Sequence, residues 1–148
     1  MPIFIRDTRE KPGKGFFWPE SHKVSGTQKA ALKYGDYSIK GHEKDFVIER
    51  KGRASEFLSN LIGKDRARFH RELKKLSTCK MACIVCEFDF SDLCKKIDSF
   101  PRFTRGNLMA NIASINCNYG VPIFFASNNE MAKELSQSLL LKAVKHLK

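Results

Sequence analysis

What this chain has little of narrows it quickly. No apolar run reaches the roughly 18 residues that a membrane-crossing helix needs, so no membrane partner is expected. The amino terminus, Met1-Pro2-Ile3-Phe4-Ile5-Arg6, has no charged leader ahead of an apolar stretch. That predicts an intracellular protein, in the cytoplasm of a bacterium or phage-infected cell, or in a nucleus. The five cysteines are odd in number and argue for reduced thiols, not a disulfide framework. Cys79, Cys83 and Cys86 lack the second cysteine pair of a zinc site, and on a strand Cys83 and Cys86 point to opposite faces. Buried thiols are the simpler account. No internal repeat and no low-complexity tail is present.

Negative charge is the scarce sign. Against 27 Lys and Arg stand 16 Asp and Glu, a formal net charge of +11. A bias of that size points to a polyanionic partner, most often nucleic acid. Between Arg50 and Lys75 there are nine basic and three acidic residues, so +6 of the +11 falls in one short stretch. The rest of the composition is that of a globular protein, with 42% hydrophobic and 29% charged residues. At 148 residues the chain reads as one domain, 1–148, long enough to bury about two thirds of its unfolded surface.

The hydrophobic spacing predicts alternating elements. Pro2 to Arg6 reads as a strand. The Pro- and Gly-rich segment from Lys11 to Gly26 is a loop, with Phe16, Phe17 and Trp18 packed beneath it, and Thr27 to Tyr34 stays open between helix and strand. Tyr37 to Lys40 and Val47 to Lys51 form a hairpin about a turn at Gly41 to Asp45. Helices follow over Arg53 to Ile62, with a stripe of Phe57, Leu58, Leu61 and Ile62, and over Arg66 to Leu76, with Phe69, Leu73 and Leu76 inward. Met81 to Phe88 is a buried strand, Thr104 to Asn118 a helix with Leu108, Met109, Ile112 and Ile115 inward, and Val121 to Ala126 another strand. Ser127 and Glu130 form a capping box for a last helix, whose inner stripe is Met131, Leu135, Leu139 and Ala143. The order implies an α/β fold, a central mixed β-sheet flanked by helices.

The chemistry concentrates at strand ends. Asp36 opens one arm of the hairpin, and Glu49-Arg50-Lys51, thirteen residues on, closes the other. Residues two apart on a strand share a face, so Glu49 and Lys51 lie side by side while Arg50 points away. The hairpin brings Asp36 back toward Glu49, so that two carboxylates and a lysine converge. Asp7 and Glu10 follow the first strand. Carboxylates so grouped suit Mg²⁺ or Mn²⁺, which prefer oxygen ligands and keep waters that a phosphate can displace. Lys51 has the reach to orient the attacking water or to neutralise the scissile phosphate. The basic helices after it, with Arg53, Lys64, Arg66, Arg68, Arg71, Lys74 and Lys75, supply a phosphate-binding surface.

Asp7-x-Arg9-Glu10, Gly35-Asp36-Tyr37, Glu49-Arg50-Lys51 and Arg68-Phe69-x-x-Glu72-Leu73 occur in an order and spacing that resemble the nuclease domain of the XPF/Mus structure-specific endonucleases. This is a branch of the PD-(D/E)XK superfamily, and the likeness runs from about Ile3 to Leu141. The resemblance implies a restriction-endonuclease-like core and a Mg²⁺- or Mn²⁺-dependent endonuclease acting on branched or flapped DNA. It implies a metal held by Glu10, Asp36, Glu49 and the Arg50 backbone carbonyl, and catalysis by Lys51 with Asp36 and Glu49. Asp7 and Arg9 shape the site, Arg9 also contacting phosphate alongside Arg50, and a homodimer or heterodimer forms through the C-terminal part. Two features depart from the family pattern. The acid expected four residues after the lysine is Ser55, with Glu56 beside it, and the 148 residues are expected to form the nuclease domain alone, without a tandem helix-hairpin-helix or helicase domain. Alternatives on the same core are a catalytically impaired DNA-binding or scaffold subunit, or a junction resolvase or restriction-type nuclease.

Overall fold

In the computed structural model, which describes residues 1–147, the strands join into one six-stranded mixed sheet in the order β2-β1-β3-β4-β5-β6. These are β1 (Ile3–Asp7), β2 (Gly26–Ala30), β3 (Tyr37–Ile39), β4 (Phe46–Lys51), β5 (Met81–Cys86) and β6 (Ile123–Phe125). The helices are α1 (Ala54–Ile62), α2 (Arg66–Leu76), α3 (Phe90–Ile97), α4 (Arg105–Tyr119) and α5 (Asn129–Leu147). Lys148, the last residue of the expected domain, lies outside the described residues. The expected α/β architecture is present. β3 pairs antiparallel with β1 and β4, while β1–β2, β4–β5 and β5–β6 are parallel, the last two joined by crossover helices and β1–β2 by the loop between them. Among the described residues no helix is long and apolar enough to cross a membrane.

Two cores face each other across the sheet. One joins Val47, Ile84 and Cys86 to Phe57, Leu61, Phe69, Leu73, Leu93 and Leu108 of α1 to α4. The other joins Phe4, Ile48, Cys83 and Val85 to Phe16, Trp18 and the inner face of α5. Period-two alternation along β4 therefore sends Val47, Glu49 and Lys51 toward α1 and α2, and Ile48 and Arg50 toward the opposite layer. Cys83 and Cys86 divide between the two cores in the same way, where burial pushes the Cys83 thiol up to about 12. Phe16 and Trp18 are buried beneath their loop, whereas Phe17 is exposed.

Several expectations need correction. The open segment after Gly26 begins with strand β2, and an unanticipated helix, α3, follows β5. It is opened by a capping box in which Asp89 and Asp92 satisfy each other's backbone N–H groups. At α5 the cap is Asn128, whose Oδ1 accepts from the Met131 N–H, while Ser127 donates to Asp89. The buried stripe is accordingly Ala132, Ser136, Leu140 and Ala143, and Met131 is exposed. On α4, Leu108 and Ile115 point inward as expected, but Met109 is 44% exposed.

Candidate active site

The carboxyl ends of β1 and β4 and the start of the antiparallel β3 meet at one end of the sheet, the edge where α/β proteins place ligands. The hairpin register pairs Tyr37 with Ile48, and the Asp36 N–H donates to the Ile48 carbonyl at 2.8 Å. Asp36 thus stands across from Glu49, and its Oδ2 accepts the Arg50 N–H at 2.8 Å. Gly35 makes this possible. Its φ of 71° lies in the left-handed region, and a Cβ there would come within 3.1 Å of the Val47 Cβ.

Asp36 and Glu49 line the same hollow. Burial, then the Glu49 charge and a hydrogen bond with Glu49, then Glu10, push the Asp36 carboxyl well above the usual carboxylate range, against the Arg50 N–H that favours the ionised form. Lys51 Nζ lies 3.5 Å from Glu49 Oε2 and 4.9 Å from the centroid of the Phe69 ring, with its side chain 6% exposed. The ammonium is therefore fixed between a carboxylate and an aromatic face. Glu72 of α2 borders the same carboxylates. Burial and then the charge of Glu49 raise its pKa.

Glu10 is turned to a different purpose. Its Oε2 accepts the Tyr37 hydroxyl at 2.6 Å and Arg50 Nε at 2.8 Å, and Arg50 Nη1 reaches Glu87 at 2.6 Å. Burial alone would lower the Arg50 pKa, but Glu10 and Glu87 outweigh it and fix the positive charge. The Arg50 side chain, expected to contact DNA, is held in an inward pair of ion bridges and is 14% exposed. Tyr37, though part of the Gly35-Asp36-Tyr37 motif, has no role expected from sequence, and Glu87 and Gly15 are not among the expected site residues. Glu87, the acid interrupting an apolar strand run, is the signal that was available. Gly15, at φ 71°, lets the chain pass so close that a Cβ would collide with both the Tyr37 hydroxyl and Glu10 Oε2.

Asp7 is buried and accepts from the Leu32 N–H at 2.8 Å and from Arg9. Arg9 is exposed over most of its side chain and leans over the hollow that Asp36, Glu49, Lys51, Arg53 and Glu56 line. Ser55 faces away from that hollow into the next one, so the first-turn acid at the site is Glu56. Lys75 borders Asp36 and Glu49 from α2. Lys64, Arg68, Arg71 and Lys74 are exposed, and Arg66 is held by Leu61 O and Asn111 Oδ1.

Asp36 and Glu49, lining the same hollow, are a donor set that a hard divalent cation fits, since Mg²⁺ is satisfied by one or two carboxylates and water. Glu10 does not complete a three-acid cluster, and among the described residues no three His, Cys, Asp or Glu side chains are grouped to hold a metal ion.

The geometry has counterparts among known proteins. The chain superposes on XPF from Aeropyrum pernix with a TM-score of 0.66 at 18% identity, covering 94% of this chain and 60% of that one. The same protein in complex with DNA matches with a TM-score of 0.66 at 20% identity, over 98% of this chain and 66% of that one. The chain therefore spans about two thirds or less of these relatives. No curated protein sequence matches it significantly. A family model for the ERCC4 domain matches residues 6–139, nearly the whole chain, and in agreement with the XPF-like sheet and helices this shows that the protein belongs to the ERCC4 domain family.

Proposed function

We propose that the chain is a Mg²⁺- or Mn²⁺-dependent endodeoxyribonuclease that hydrolyses phosphodiester bonds in branched or flapped DNA. The observation that carries this is the convergence of the Asp36 and Glu49 carboxyls with the Lys51 ammonium in one hollow, rimmed by Arg9 and Arg53. When bound, the divalent ion supplies Lewis-acid polarisation of the phosphate and a more acidic water. Asp36 and Glu49 would hold it, with the Arg50 backbone carbonyl as a third donor. Lys51, anchored by Glu49 and Phe69, presents its ammonium to the scissile phosphate or the attacking water. Asp7 orients Arg9, whose fork engages phosphate at the rim. Arg53 and Lys75 flank the carboxylates from α1 and α2, and the exposed Lys64, Arg68, Arg71 and Lys74 extend the cationic surface. The match to XPF from Aeropyrum pernix in complex with DNA supports DNA as the partner.

The test is a cleavage panel of labelled flap, fork, junction and linear substrates with Mg²⁺ and with Mn²⁺. Asp36→Asn and Lys51→Ala are each expected to lower the cleavage rate by at least about a hundredfold while DNA affinity changes little. Undiminished cleavage by both variants would sink the proposal. The second reading, a nuclease-like DNA-binding subunit, is favoured by one observation: Glu10 is occupied by Arg50 and Tyr37. Salt-dependent binding with no turnover on any substrate or metal would select it.

The dimer implied by the family resemblance is assigned here to the β6 edge and α4. β6 has a neighbour on one side only, its Ile123, Phe124 and Phe125 are half-buried, and Met109 projects from α4. An unpaired strand edge beside exposed apolar side chains is a surface that chains cover by association.

A further inference from the structure

The active-site hollow does not end at the carboxylates. Gly52 and Arg53 belong both to it and to a neighbouring cavity of about 600 Å³ that runs between α1 and α3. That cavity in turn shares Ser55, Lys96 and Ser99 with a third of about 680 Å³, which opens beneath Phe100 and Phe103. The three form one trough leading away from Asp36 and Glu49. Beyond the active-site hollow its cations are Arg53, Lys95 and Lys96 near the site and Lys64 at the far end, and the one acid lining these two outer cavities is Asp92. Asp92 is already engaged in capping α3. At the far end Phe100 is 43% exposed, one of two exposed phenylalanine rings, with Phe17, among the described residues.

We propose that this trough binds the unpaired strand of the DNA substrate, its phosphates tracking Arg53, Lys95, Lys96 and Lys64 and a base stacking on Phe100. Three features select a single strand. Cations at intervals match a flexible phosphate chain, and an exposed ring offers the stacking face that every base can use. The trough also begins at the carboxylates, so a strand lying in it leaves a branch point over the site. A purely apolar partner segment would leave the lysines unanswered, and a closed duplex would keep its bases from the ring. The inference extends the nuclease reading by naming the strand that the same site holds.

The experiment measures binding with divalent ions chelated, so that it does not depend on cleavage. The full chain is titrated by fluorescence anisotropy against labelled oligothymidylate, a flapped duplex and a blunt duplex. Phe100→Ala is expected to weaken oligothymidylate and flap binding about tenfold, with blunt-duplex affinity unchanged and Phe100→Trp restoring the loss. Lys95→Ala with Lys96→Ala should flatten the salt dependence of single-strand binding. Unaltered melting temperatures show that these surface changes leave the fold intact. If both variants bind oligothymidylate like the wild type, or lose duplex and single-strand affinity equally, the trough is not the single-strand site. The two proposals fail separately. Cleavage lost in Asp36→Asn with single-strand binding indifferent to Phe100 overturns the trough alone. Binding dependent on Phe100 without turnover on any substrate overturns the nuclease reading alone.

Discussion

At the scale of single residues, Asp36 is where the fold and the chemistry compete. Its carboxyl is buried against Glu49 and Glu10, so its pKa is higher in the folded chain than the ordinary value of 3.8 it has when unfolded. The folded state keeps a proton that the unfolded chain releases. The stability this contributes is complete below that value and is lost as pH rises through the folded pKa. Asp36→Asn carries no ionisable group, so with divalent ions chelated it should melt higher than the wild type near about pH 7 and show a flatter profile between about pH 4 and pH 8. Thermal melts across that range check the sign. Mg²⁺ or Mn²⁺ offers the pair another remedy. At about 100 times its Kd a ligand adds about 2.7 kcal/mol, which in a chain of this size raises Tm by about 5–10 °C. Asp36→Asn is expected to abolish most of that shift. The Asp36 and Glu49 placement was legible in sequence because strand period and hairpin register are local rules. The diversion of Glu10 and Arg50 was not, because it depends on Tyr37, Gly15 and Glu87 arriving from three other segments.

Among the elements, the β3–β4 hairpin positions the carboxylates, and Gly35 is its most exacting point. Gly35→Ala would force a side chain into the left-handed region and against Val47, which is expected to cost about 2 kcal/mol and to move Asp36 off the Arg50 N–H. Urea unfolding gives the energy, and a parallel loss of cleavage would report the displaced carboxylate. The elements with strong apolar periodicity, α1, α2 and β5, fell where the sequence put them. β2 did not, because Gly26-Thr-Gln-Lys-Ala30 has no alternation of its own and is a strand only through parallel pairing with β1. α3 is a short helix whose signals, the Asp89 and Asp92 box with Leu93 and Ile97 inward, were hidden behind the apolar run of β5. In α5 the competing cap at Asn128 rotated the inner stripe by one residue, a choice that only the packing against β3, β4 and β5 could decide.

For the whole molecule, the proposed β6 and α4 interface predicts a mass in solution of about twice the 16.9 kDa chain. Ile112→Glu, at the partly buried margin of α4, should return it to a monomer in light scattering after size exclusion, with little change in the circular dichroism spectrum. The sheet order has one more consequence. β3 and β4, which carry Asp36, Glu49 and Lys51, occupy its two middle positions, with β2 and β6 at the rims. Local opening starts where strands have one neighbour. Amide hydrogens of β2 and β6 should therefore exchange with deuterium first, while those of β4 wait for the whole chain to open. Heat should accordingly inactivate this protein in a single step that coincides with global melting, with no warm, folded but idle form in between.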